Sequence, residues 1–190
     1  GVYGACSSSV LGMIIAANFI QNQQVNNAIC CVSSHNLTSE KQFRYPLELG
    51  TQRTPTSQWT VTAAGCSILS EHGSNIIVEC GTIGKVVDWN VKDVNNMGAA
   101  MAPAAVETLK AHLSDMGRSP DEYDMILTGD LGKLGSEILM DLAEYNGIKL
   151  GNNYCDSGQM MYTNEQKTFM GGSGCGCIAR VINSYILNRM

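Results

Sequence analysis

Charge is scarce in this chain: 15% of its 190 residues are Asp, Glu, Lys or Arg, and the net charge of −5 includes no basic run. Without a basic patch the sequence lacks the electrostatic footprint of a nucleic-acid binder. Uninterrupted apolar runs are short, and none reaches the roughly 20 residues that a membrane-spanning helix needs. There is no C-x-x-C, and the C-x-C at Cys175–Cys177 has no histidine nearby, so a metal site is not expected. Histidine is limited to His35, His72 and His112, which leaves few imidazoles for acid–base chemistry.

What remains is 44% hydrophobic and contains 20 glycines, the composition of a tightly packed α/β protein. The organising feature is the first turn, Gly4-Ala5-Cys6-Ser7-Ser8-Ser9, which runs directly into the apolar segment 10–20. A cysteine among small residues ahead of a helix reads as a thiol mounted on a sharp turn. There the backbone N–H groups and the helix N-terminus favour a thiolate, the usual way to present a nucleophile. The eight cysteines sit mostly in apolar, strand-like runs, which predicts reduced thiols in a cytosolic compartment rather than a disulfide framework.

Along the chain, residues 7–22 read as a helix buried between layers, and 28–34 as a strand covered on both faces. A long polar segment follows to Ser57. Residues 58–69 and 76–89 read as strands joined in an antiparallel hairpin through Glu71-His72-Gly73-Ser74-Asn75. Beyond a second polar link, 101–116 is a helix with Pro103 in its first turn. Residues 123–128 are a strand ending at Gly129-Asp130, 134–145 a helix, 148–156 an extended stretch, and 178–187 a final strand. This order points to two related α/β units around a shared interior.

Three pieces together resemble the thiolase-like superfamily of condensing enzymes: the Cys6 turn, the strand Thr62-Ala63-Ala64-Gly65-Cys66-Ser67-Ile68-Leu69, and Gly171-Gly172-Ser173-Gly174-Cys175-Gly176-Cys177. Within it, a wider set is similar to the stage V sporulation protein AD family. That set adds Ser33-Ser34-His35-Asn36, Gln42-Phe43-Arg44-Tyr45-Pro46, Gln58-Trp59-Thr60-Val61-Thr62 and Tyr154-Cys155-Asp156-Ser157-Gly158. The resemblance implies an α/β fold of layered αβαβα architecture with mixed sheets. Residues 1–90 would be the remainder of the first half and 91–190 the second. Members of the fold carry a further βαβ stretch ahead of the nucleophile turn, so the N-terminal portion is expected to be missing here. The uncovered sheet would then favour a homodimer. The resemblance further implies binding of dipicolinic acid for uptake into the developing spore. It also implies other dipicolinate-transport proteins as partners, and a peripheral place at the spore inner membrane; no cofactor is expected.

In the condensing enzymes that this chain resembles, the cysteine works beside two histidines, or a histidine and an asparagine, at strand ends of the second half. The corresponding positions hold Asp130 and Asp156. Carboxylates raise a thiol pKa and repel developing negative charge, so catalysis is not expected and Cys6 reads as a relic nucleophile. Ligand contacts are expected from Cys6, Ser7, His35, Asn36, Arg44, Asp130 and Asp156. A dianionic ligand needs countercharge, from Lys41, Arg44, Arg53 or Lys133, or from a calcium ion bridging it to Asp130 and Asp156. Each aspartate also reads as a capping or turn residue. His35 reads either as a hydrogen-bonding anchor for its loop or as a donor near Cys6, while His72 and His112 read as solvated. Two alternatives stand beside the binding protein: an acyltransferase with Cys6 as nucleophile and His35 as base, and a structural scaffold of a spore membrane complex.

Overall fold

The computed structural model describes the backbone of residues 1–43 and 53–190 and the side chains outside 40–52. Arg44, and the side chain of Lys41, lie outside the described residues. The chain opens on a single 3-10 turn, Ala5–Ser7, that leads into helix α1, Ser8–Gln21. Ser8 fixes this corner: its Oγ accepts the Gly4 N–H at 3.0 Å and donates to the Ala5 carbonyl at 2.7 Å. The tightness of the bend shows in Ala5, a non-glycine residue at φ +48°.

Helix α1 lies on one face of a two-stranded antiparallel sheet made of β1, Asn27–Ser34, and β3, Ala63–Ser70. In both strands half-buried and exposed residues alternate. This corrects the expectation of a doubly covered strand: Ile29 and Ile68 are 67% and 73% exposed on the second face. Helix α1 is likewise half-buried, with Val10 and Phe19 exposed. The pairing also replaces the expected hairpin, because β3 takes β1 as its partner and residues 75–93 contain no strand. The register sets Cys31 opposite Cys66 with their Cα atoms 4.2 Å apart, and the two are joined by a disulfide. Two of the eight thiols are therefore not reduced as expected.

After β1 the chain forms helix α2, Asn36–Phe43, and returns in the short strand β2, Trp59–Thr60. The extended segment 75–93 is tethered by side chains. Arg118 makes a two-pronged ion pair with Glu79, and Thr82 Oγ1 lies 2.8 Å from His112 Nδ1. His112 also meets Tyr123 OH at 3.0 Å, so it is half-buried and engaged rather than solvated.

The second part packs helix α3, Met97–Met116, against helix α4, Gly132–Tyr145. Asn96 caps α3 through Ala99 N–H, and Gly117 ends it in the left-handed conformation. Because α3 begins at Met97, Pro103 lies inside it rather than in its first turn, fully buried. Ala102, Leu131 and Leu139 form the core between these helices, with Leu150 and Tyr154 against it. Strands β4, Ile126–Thr128, and β5, Tyr154–Asp156, pair in parallel, and β5 runs straight into the single-turn helix α5, Ser157–Met160.

Strand β6, Gly172–Ser173, pairs in parallel with β2 and leads into helix α6, Cys175–Val181, extended by a π turn over Ile182–Ile186. The expected final strand is thus helical. Gly176, Ala179 and Asn183 recur at helical spacing and face β1 and β3. A Cβ on Gly65 would come within 2.5 Å of the Ala179 carbonyl, so only glycine in β3 permits this approach.

Candidate functional site

Helix α6 packs against the Cys6 turn, the segment after β4 brings Asp130 to the thiol, and the end of β5 sets Asp156 beside Asp130. The Asp130 carboxyl and the Gly174 N–H both act on the Cys6 thiol, the carboxyl raising its pKa and the N–H lowering it. Burial, then the Asp130 charge, push the thiol up to about 12. The helix-end effect expected to favour a thiolate is worth about 0.3–1 kcal/mol, against roughly 4 kcal/mol for a shift of this size. Desolvation and the carboxyl win, and at neutral pH Cys6 is a thiol.

Asp130 follows β4 in the left-handed region, at φ +63°, and is wholly buried. Its backbone carbonyl accepts Gln58 Nε2 at 2.7 Å, which fixes the turn. Its side chain is poorly provided for. Ser157 Oγ reaches Oδ1 only at 3.5 Å, and the thiols of Cys6 and Cys177 and the Gly174 N–H are the other donors that act on it. Oδ2 makes no hydrogen bond of good geometry. Burial pushes this carboxyl up to about 7. Cys177, fully buried on the far side, is pushed up by burial and then by the charge of Asp130.

Asp156 is the opposite case. Its Oδ2 accepts Leu131 N–H and Thr128 Oγ1–H, each at 2.9 Å. Its Oδ1 accepts the N–H groups of Gly132, Gly158 and Gln159 at 2.9, 3.0 and 3.3 Å. One carboxylate therefore caps two helices, α4 and α5. Burial still raises its pKa, with the donors opposing. Five donors on two oxygens leave Asp156 unsuited to bridging a calcium ion, and no metal-binding cluster of three or more His, Cys, Asp or Glu occurs among the described residues.

The remaining expected residues are arranged as supports. Asn36 ties the end of β1 to β2, its N–H to Thr62 Oγ1 and its Nδ2 to the Thr60 carbonyl, both at 2.9 Å. Ser7 is exposed and donates to the Gly4 carbonyl at 2.7 Å. His35 is exposed, with Nδ1 3.5 Å from Thr38 Oγ1, and takes no part in the interactions that set the Cys6 thiol. Arg53 stacks over the Trp59 ring at 3.6 Å, and Lys133 Nζ donates to Asn164 Oδ1 at 3.2 Å.

The structure adds Gln58, Ser157 and Cys177, which sequence reasoning missed as site members. The signal for Cys177 was its i+2 spacing from Cys175, read above only as a motif with no metal site to serve. Nothing local marks Gln58, which reaches Asp130 across a separation of 72 residues.

Against known proteins, residues 1–190 match the family described as Stage V sporulation protein AD (SpoVAD). The chain is 41% identical over 189 residues to the Stage V sporulation protein AD of Bacillus subtilis, covering 100% of this chain and 56% of that protein. It thus spans about half the length of the curated relative it matches. Among solved structures it resembles a variant of Xanthomonas campestris OleA bound with cerulenin, at 16% identity and a TM-score of 0.64, covering 100% of this chain and 55% of OleA. It also resembles the tetronic acid condensing enzyme AbyA1, at 12% identity and a TM-score of 0.61, covering 100% and 59%. These likenesses show a thiolase-like α/β fold of which the chain represents part. By the family match and the identity to its relative, the chain belongs to the SpoVAD family of sporulation proteins.

Proposed function

We propose that this chain forms part of a thiolase-fold sporulation protein that binds dipicolinic acid for uptake into the developing spore and does no condensing chemistry. The observation that carries the non-catalytic half is the Cys6–Asp130 pair: a buried carboxyl stands against the thiol, and that thiol is raised to about 12. An acyl-transfer nucleophile needs a base that draws its proton away and donors for an oxyanion. The binding half rests on family membership and on a polar turn presented beside a buried, under-bonded carboxyl. Calorimetry of dipicolinate with the intact protein tests it, and no heat of binding at any pH would sink it.

The rival reading is an acyltransferase using Cys6, favoured by the strained Ala5 corner and by the Gly174 N–H at the thiol. Incubation with acyl-CoA donors and intact-mass measurement separates the two. A Cys6-dependent acyl adduct supports the rival; its absence supports the binding protein.

The partner proteins, the peripheral place at the spore inner membrane and a homodimer belong to the same proposal. No helix among the described residues is long and apolar enough to cross a membrane. The exposed apolar face of β1 and β3 supports pairing with a second copy, which sedimentation tests.

A further inference from the structure

We infer that the site proposed at the Cys6 turn binds its anion together with one proton, and that Asp130 is the group that takes the proton up. This rests on the binding function proposed above and adds how that site handles charge.

The geometry makes the argument. Asp130 is wholly buried, held at φ +63° by its turn, and carries an oxygen with no well-formed hydrogen bond. The groups that face it among the described residues are the Cys6 thiol from the first turn, the Gly174 N–H ahead of α6, the Cys177 thiol from α6, the Asp156 carboxylate from β5 and the Ser157 hydroxyl from α5. None of these is a cation. A buried carboxyl facing only such groups favours its neutral form. Asp156 adds a negative charge nearby that its own five donors hold in place.

Cys6, half-buried, is a neighbour of the wholly buried Asp130. An anion seated at Cys6 places a second negative charge a few ångströms from the carboxyl. Like charges that close cannot both stay ionised, and the weaker acid takes a proton from solvent. The balance is simple: ionised Asp130, one proton and the anion give the neutral acid beside the anion, with no covalent bond made or broken. The ligand chemistry this suits is a carboxylate, whose oxygen can accept from the protonated Asp130 or from the Cys6 thiol.

Burial holds Asp130 up at about 7, so above that pH binding has to recover a proton that solvent has removed. Affinity is then expected to be flat below about pH 7 and to fall by up to about tenfold per pH unit above it.

The test is calorimetry of dipicolinate with the intact protein in buffers of low and high ionisation heat, at about pH 6 and about pH 8. Near pH 8 the wild type is expected to take up close to one proton per ligand, and D130N, which puts a neutral amide in the same space, to take up none and to lose the pH dependence. Should D130N fail to fold, the wild-type proton count decides alone. Binding near pH 8 without proton uptake overturns the inference while leaving the binding function intact. No binding at either pH overturns both.

Discussion

Asp130 and Asp156 end neighbouring parallel strands, and both are fully buried, yet the chain treats them differently. Asp156 receives five hydrogen bonds and caps two helices; Asp130 has one oxygen with no well-formed bond and two thiols as neighbours. Burial raises both, but only at Asp156 do backbone donors push back strongly. The difference teaches that position in a fold family does not fix a residue's job. One carboxylate has become part of the scaffold, and the other has been left with unspent bonding capacity where a ligand could use it.

The comparison can be broken most easily at Asp156. D156A strips the donors of two helix ends of their acceptor and is expected to cost about 3–5 kcal/mol, read by urea denaturation. A cost below about 1 kcal/mol would contradict the scaffold role.

Asp130 is expected to act in the opposite sense. Its folded pKa of about 7 lies above its usual 3.8, so the folded state holds a proton that the unfolded state releases. Stability is therefore greatest below about pH 4 as far as this group is concerned, and falls as pH rises through 7, by up to about 4 kcal/mol. D130N should flatten that decline, measured by denaturation across pH 4–8. A stability that rises over the same window and is unchanged by D130N would show that Asp130 is ionised and paired after all.

The smallest effects sharpen the contrast. T128V removes one of the five donors to Asp156 and is expected to cost about 1–2 kcal/mol. S157A removes the 3.5 Å contact to Asp130 and a 3.8 Å contact from the Cys177 thiol, and is expected to cost about 0.5 kcal/mol or less. Equal costs for the two would erase the distinction.

Much of the frame was legible. The small residues around Cys6 and the apolar run behind it announced α1, and the helical spacing in 101–116 and 134–145 announced most of α3 and α4. The strand ends that lead to Asp130 and Asp156 were also read close to where they lie. The capping alternative for Asp156 was also readable, since Asp-Ser-Gly ahead of a turn is a common N-cap sequence. What escaped was non-local. Residues 76–89 are rich in β-branched side chains, but a strand needs a partner, and β3 is taken by β1. The apolar run 178–187 looked extended until Gly176, Ala179 and Asn183 were seen at helical spacing against β1 and β3. His112 looked solvated because its partner Thr82 is 30 residues away. The Cys31–Cys66 bridge depends on a strand register that no spacing in sequence discloses.

Cys6 faces a carboxyl and is a thiol at neutral pH. The most direct test is the pH dependence of its alkylation, followed on the Cys6 peptide by mass spectrometry so that the other cysteines do not interfere. The expected rate still climbs beyond about pH 10, in keeping with a thiol pushed up to about 12. A rate that levels off near pH 7 would mean a thiolate at the turn, and with it a working nucleophile.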